Sequence, residues 1–174
     1  MADLKFIEQL NDQLGSEFAA HLQYISIASY FDGLTMPQMA YFFYRQGNEE
    51  REHAMMMIKY IVDSDESVHI PAVPEAIWDF KNVREPVELA LFQEKRVQSE
   101  VHELLATARA TNDYASEQFM QWFIKEQVEE IAVMNDLLAV VTRSPNNIEA
   151  IEEYIAREAQ AARVDATAPR MAGA

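Results

Sequence analysis

Four long stretches of this chain run almost free of glycine and proline. Each helical stripe that ought to be purely apolar carries an acid near its middle. The acids are Glu17, then Glu50 with His53, then Glu94, and last the group Glu126, Gln127, Glu129 and Glu130. Burying a lone charge is costly, so several acids directed into one interior need a cation to share. A bundle in which four helices each bring an acid to one point is therefore the fold that this pattern favours, and a dinuclear metal site is its natural use.

At 174 residues the chain suits one domain with a proper core. Its net charge of −15 disfavours nucleic acid, whose phosphates would repel it, and favours cations; by itself it equally describes a soluble acidic surface. Cysteine is absent, which excludes disulfides, thiolate zinc sites and iron–sulfur clusters. Oxygen and imidazole ligands remain, and these suit iron and manganese. The opening Met-Ala-Asp-Leu-Lys has no apolar signal region, and no stretch approaches the roughly 20 apolar residues of a membrane span, so a cytoplasmic location is expected.

Periodicity predicts helices over 4–31, 36–64, 85–111 and 113–143, and a short fifth over about 147–160. Leu10, Leu14, Tyr24, Ala28 and Phe31 share a face of the first. Phe43, Gln46, Glu50, His53, Met57 and Tyr60 share one of the second. Val87, Leu91, Glu94, Val101 and Leu105 point inward on the third, as do Phe119, Phe123, Gln127, Glu130, Met134, Leu137 and Val141 on the fourth. Asp32-Gly33 ends the first helix, and Thr35-Met36-Pro37-Gln38 reads as a capping box with proline in the first turn of the second. Helices of this length are about 40 Å long. Residues 65–84 are long enough to run the length of the bundle, so the second and third helices lie parallel: an all-α, four-helix bundle with one long crossover and a short fifth C-terminal helix. The expected domain is 1–160, with 161–174 a mobile, alanine-rich tail.

Glu50 and His53, three apart, project from one helix face. Glu17 lies at matching depth on the first helix, Glu94 interrupts the third stripe and Glu130 the fourth. Four acids and an imidazole can hold two divalent ions, with Glu50 as a bridge. Glu49, Glu126 and Glu129 flank them and form either a third, looser cation site or a solvated acidic face. Tyr24, two turns after Glu17, is either a core tyrosine or a residue supporting the site. Trp122 is either an electron donor or packing, and His21 either touches the site or is satisfied elsewhere. His69 and His102 read as surface residues, and Met55-Met56-Met57 as packing rather than haem ligation.

Taken together and in order, Glu17…Tyr24, Glu49-Glu50-Arg51-Glu52-His53, Gln93-Glu94 and Gln121-Trp122-Phe123…Glu126-Gln127-Val128-Glu129-Glu130 resemble the non-haem bacterial ferritins over essentially the whole chain. The resemblance implies a ferritin-like, five-helix subunit that assembles into a hollow shell of twenty-four copies. It also implies ferroxidase activity: Fe(II) is oxidised by dioxygen or peroxide and stored inside as a ferric oxide mineral. On the same resemblance, Glu17, Glu50 and His53 hold the first iron, and Glu50, Glu94 and Glu130 the second. Gln127 hydrogen-bonds near the pair, and Tyr24 lies beside the first iron. Glu49, Glu126 and Glu129, with Glu130, form the third iron site.

The chain departs from relatives within that group in two informative ways. Bacterioferritins carry a second Glu-x-x-His on the fourth helix, where this chain has Gln127-x-x-Glu130, and a haem-binding methionine on the second, where it has Glu52. No haem is therefore expected. Animal-type ferritins line a three-fold pore with two acids of the fourth helix; the corresponding positions are Glu117 and Met120, which leaves the route of iron open. A di-iron oxidase or peroxidase of the rubrerythrin type is the alternative on the same fold, though rubrerythrins usually add a cysteine-rich module. A twelve-subunit, DNA-protecting mini-ferritin lacks the fifth helix and fits the −15 charge poorly. A purely structural bundle explains the periodicity but not the acids in the stripes. Tyr30, Phe31, Tyr41, Phe42, Tyr44 and Trp78 exceed what one small core needs and serve either packing or subunit contacts.

Overall fold

The long periodic stretches become four long helices and a short one in the computed structural model, which describes residues 2–159 and 165–173. They are α1 (Leu4–Gly33), α2 (Pro37–Asp63), α3 (Arg84–Ala110), α4 (Tyr114–Arg143) and α5 (Ile148–Ala159); there is no strand among the described residues. Asp3 caps α1 by accepting from Lys5 N and Phe6 N, and Asp113 caps α4 by accepting from Ser116 N. Asp113 also accepts the backbone N–H of Asp3 at 2.9 Å, which ties the starts of α1 and α4 together.

α1 packs along α2 and α3 along α4, while α5 leans on α2 and α4. The crossover uses α1 as its rail. Asn11 donates to Ser67 O at 3.2 Å and accepts from His69 N at 2.6 Å. Three turns on, Gln23 exchanges hydrogen bonds with both backbone groups of Ile77, and Tyr30 meets Phe80 edge to face. Between these points Pro71 lies so close to Gly15 that an added Cβ would sit 2.7 Å from its Cγ. Glycine is required there for proximity, although it costs helix propensity. The 20-residue loop is thus anchored at three levels, so its length is compatible with an ordered fold.

The capping box expected at Thr35 is not formed. Met36 is the N-cap of α2 and makes no side-chain cap bond. Thr35, at φ 60°, instead belongs to the end of α1: Thr35 N donates to Asp32 O and Met36 N to Phe31 O, the paired bonds of a left-handed C-terminal turn. The same pairs close α2 at Asp65 and α3 at Asn112. The free N–H groups of α2 are capped from far away, since Glu152 of α5 accepts from Gln38 N and Met39 N, both at 2.9 Å. A carboxylate at a helix N-terminus is favourable, so this contact also docks α5.

Two apolar clusters fill the bundle. One lies around Tyr24, Phe31, Phe43, Leu91, Leu137 and Ile151, the other around Phe6, Leu10, Met57, Val101 and Phe123. Of the surplus aromatics, Phe31 and Phe42 are core, Tyr30 and Tyr44 pack against it, and Tyr41 and Trp78 remain exposed. The tail expected to be mobile is partly placed. Residues 161–164 lie outside the described residues, but Ala168 and Met171 pack against the second cluster and Ala172 N donates to Met55 O.

Candidate metal centre

Buried polar side chains lie within the bundle beside these apolar clusters. Glu17 from α1, Glu50 and His53 from α2, Glu94 from α3, and Gln127 and Glu130 from α4 are all buried, with Glu17 and Glu94 only 1% exposed. Helical spacing explains each placement: these residues continue the apolar stripes and have no solvent-facing alternative. One ligand atom each from Glu17, Glu50 and His53 falls within 4.8 Å of the others, and so does one each from His53, Glu126 and Glu130. His53 thus belongs to two groupings, its Nδ1 lying 3.6 Å from Glu50 Oε2 and 3.8 Å from Glu17 Oε2. Glu94 falls outside both groupings. Tyr24 donates to its Oε1, and Gln127 donates to its Oε2 at 2.9 Å.

Amides hold two more of the acids. Gln13 donates to Glu17 Oε1 at 2.9 Å, one turn earlier on α1, and Gln46 donates to Glu130 Oε2 at 2.8 Å across the bundle. The sequence reading put Gln46 on the right face without giving it a role and missed Gln13; Gln13 stands four residues before the acid it holds, a spacing that could have found it, whereas Gln46 reaches an acid of another helix. Glu17 Oε2 and Glu50 Oε1 remain buried with no hydrogen-bond partner. Orphaned buried carboxylate oxygens are costly unless a cation takes them.

The electrostatics carry the same mark. Burial, and then the Glu94 charge, push the Glu50 and Glu130 carboxyls well above the usual range. Burial raises Glu94 to about 7. Burial by itself would lower the His53 imidazole, but contact with Glu17 and Glu50 outweighs it and holds the ring well above its ordinary value. Tyr24 is raised by burial and by Glu94, so its hydroxyl stays a donor.

Glu49, Glu126 and Glu129 lie beside this dry set on a cavity of about 540 Å³ that also meets Arg45, Glu130 and Asp165. Glu49 and Glu126 are part-buried and Glu129 is exposed. Trp122 packs edge-on against His53, with centroids 5.5 Å apart, and its indole N–H donates to Asp165. His21 is satisfied elsewhere, with Nδ1 2.6 Å from Gly47 O. His69 and His102 are exposed. Met120 is fully buried, and Glu117 is held by Arg109 at 2.8 Å.

The profile of the ferritin-like domain matches residues 7–144. The chain is 47% identical over 171 residues to "Ferritin BfrB" of Mycolicibacterium smegmatis, an alignment covering 98% of this chain and 94% of that protein. It is 33% identical over 154 residues to "Bacterial non-heme ferritin" of Staphylococcus aureus, covering 88% and 93%. Among solved structures it is similar to an open-pore ferritin of the hyperthermophilic archaeon Archaeoglobus fulgidus, with a TM-score of 0.86 and 28% identity over 90% of this chain and 97% of that one.

Proposed function

Because this chain belongs to the ferritin family, we propose that it stores iron, oxidising Fe(II) at the buried carboxylate–histidine set and holding the ferric product inside a shell of its own copies. The observation that carries the reading is the polar layer itself: acids and one imidazole from four helices, with Glu17 Oε2 and Glu50 Oε1 buried and left without hydrogen-bond partners.

Two Fe(II) ions are the substrate. Glu17, Glu50 and His53 take one, and Glu50, Glu94 and Glu130 the other. As iron binds, the protons held by the raised carboxyls of Glu50, Glu94 and Glu130 are released, so uptake depends on pH. Hard anionic oxygens stabilise Fe(III) over Fe(II), because the additional charge is paired. Two adjacent ions each give one electron, and one dioxygen takes both with two protons to leave hydrogen peroxide, which limits radical release. Gln13, Gln46 and Gln127 keep the acids oriented by amide donation. Glu49, Glu126 and Glu129 form the third, looser ion site and lead the product away through the open cavity.

Haem stands outside this reading, since exposed Glu52 stands where bacterioferritins carry a haem-binding methionine. No helix among the described residues is long and apolar enough to cross a membrane, which suits a shell subunit. The test is gel filtration after aerobic Fe(II) loading, following protein and iron absorbance together. Iron co-eluting with a particle of about twenty-four subunits is the expected result. A small oligomer that oxidises iron yet retains only a few ions per chain would replace storage by a di-iron oxidase or peroxidase.

A further inference from the structure

On α4, Lys125 stands immediately before Glu126 and one turn before Glu129. A lysine four residues from a glutamate on an exposed helix face is within reach of it. Here that pair is not made. Lys125 Nζ reaches instead to Asp165 Oδ2, forty residues further along, at 2.9 Å. The same oxygen accepts the indole N–H of Trp122 at 3.1 Å. A tryptophan N–H can only donate, so a part-buried indole needs an acceptor, and Asp165 is the one it has.

Asp165 is itself held in place. Its Oδ1 accepts from Thr167 N at 2.8 Å and Thr167 Oγ1 at 2.6 Å. The hydrogen bonds from Thr167, then Lys125, keep its carboxyl below the usual range, so it is an anion at any physiological pH. The segment beyond is fastened to the bundle through Ala168, Met171 and the Ala172 N–H to Met55 O bond at 3.0 Å. Asp165 also lines the cavity that Glu49, Glu126 and Glu129 share.

We infer that Asp165 is a positioning residue for the open acidic site: it draws the Lys125 ammonium away from Glu126 and Glu129, leaving both carboxylates to a metal cation, while fixing Trp122 against His53. The physical basis is competition. An ammonium paired with Glu129 neutralises the charge that a cation needs, and it occupies the same oxygens. The other cation on the cavity, Arg45, is already turned to Glu49 and lies over the Phe42 ring. Lys125 is thus the cation whose placement the segment around Asp165 controls.

The inference rests on reading Glu49, Glu126 and Glu129 as a cation site, and the experiment separates the two. The assembled full-length protein is titrated anaerobically with Zn(II) by calorimetry, comparing wild type with Asp165→Asn, Asp165→Asn/Lys125→Met and Glu126→Gln. Asp165→Asn is expected to weaken the looser class of Zn(II) sites about two- to fivefold, the range of an exposed ion pair, and to leave the tight class unchanged. Adding Lys125→Met is expected to restore the looser class to wild-type affinity, a rescue that loss of a structural strap would not give. Equal affinity in wild type and Asp165→Asn, or a double variant as weak as Asp165→Asn, overturns the inference. If Glu126→Gln abolishes the looser class while Asp165→Asn leaves it intact, only the clamp falls. If Glu126→Gln also leaves it intact, the cation-site reading falls and takes the clamp with it.

Discussion

Two sets of acids share this bundle, a few ångströms apart, and they are built differently. Glu17, Glu50, Glu94 and Glu130 are buried, each with at least one hydrogen bond or imidazole contact, and burial raises the carboxyls of the last three. Glu49, Glu126 and Glu129 line an open cavity, and water screens them more as their exposure rises. The difference teaches that similar side chains acquire distinct tasks from solvation and partners. The dry set suits tight, oriented binding in which charge is neutralised by metal. The open set suits exchange, because its ions can leave by water.

The comparison is broken most strongly by removing the dry set. Glu50→Ala with His53→Ala should slow rapid Fe(II) oxidation by on the order of 100-fold or more, measured by stopped-flow absorbance. Survival of the fast phase would move the chemistry elsewhere.

The next largest effect is on the apoprotein. Glu94, Glu50 and Glu130 bind protons more tightly folded than unfolded. Their contribution to stability is therefore present below about pH 4.5 and lost as pH rises, for Glu94 through about 7. With chelator present, the melting temperature should fall by about 5 °C or more between pH 5 and pH 8, and Zn(II) should abolish the decline. A chelated protein whose melting temperature is flat over that interval would mean the acids are not desolvated. The opposite sign belongs to Asp113, whose Ser116 and Asp3 hydrogen bonds outweigh burial and lower its carboxyl; its contribution is lost in acid, below about pH 4.

A smaller change sharpens the contrast. Gln127→Leu should weaken metal binding at the dry pair by about tenfold, the range for a hydrogen bond that orients a ligand, without altering the looser class in a calorimetric titration. Smallest is Glu49→Gln, which should leave the first burst of oxidation unchanged and slow the later turnovers by about two- to threefold in successive Fe(II) additions, the scale of losing one partly screened charge. A slowed first burst would merge the two sets into one.

The helices and the inward acids were legible because both are written in local periodicity: an acid at a stripe position has its direction set by the residues three and four places away. Gln13 was legible in the same way, once an acid one turn later is asked what orients it; the partner of Gln46 was not, because it lies on another helix. Thr35 was misread for a physical reason. A threonine followed by Gln38 satisfies the composition of a capping box, but the left-handed turn that ends α1 takes Thr35 first and leaves α2 to be capped by Glu152. The sequence contains no sign of that partner, which lies more than a hundred residues away.

What the sequence by itself determined, then, is the set of helices, their buried faces and the acids those faces carry, since each follows from interactions within a few residues. Only the tertiary structure decided which amide holds which acid, that Pro71 must pass over Gly15, and that Lys125 turns to Asp165 rather than to the nearer Glu129. Those choices depend on which distant groups come within hydrogen-bonding or contact distance, and such proximity exists only after the chain has packed.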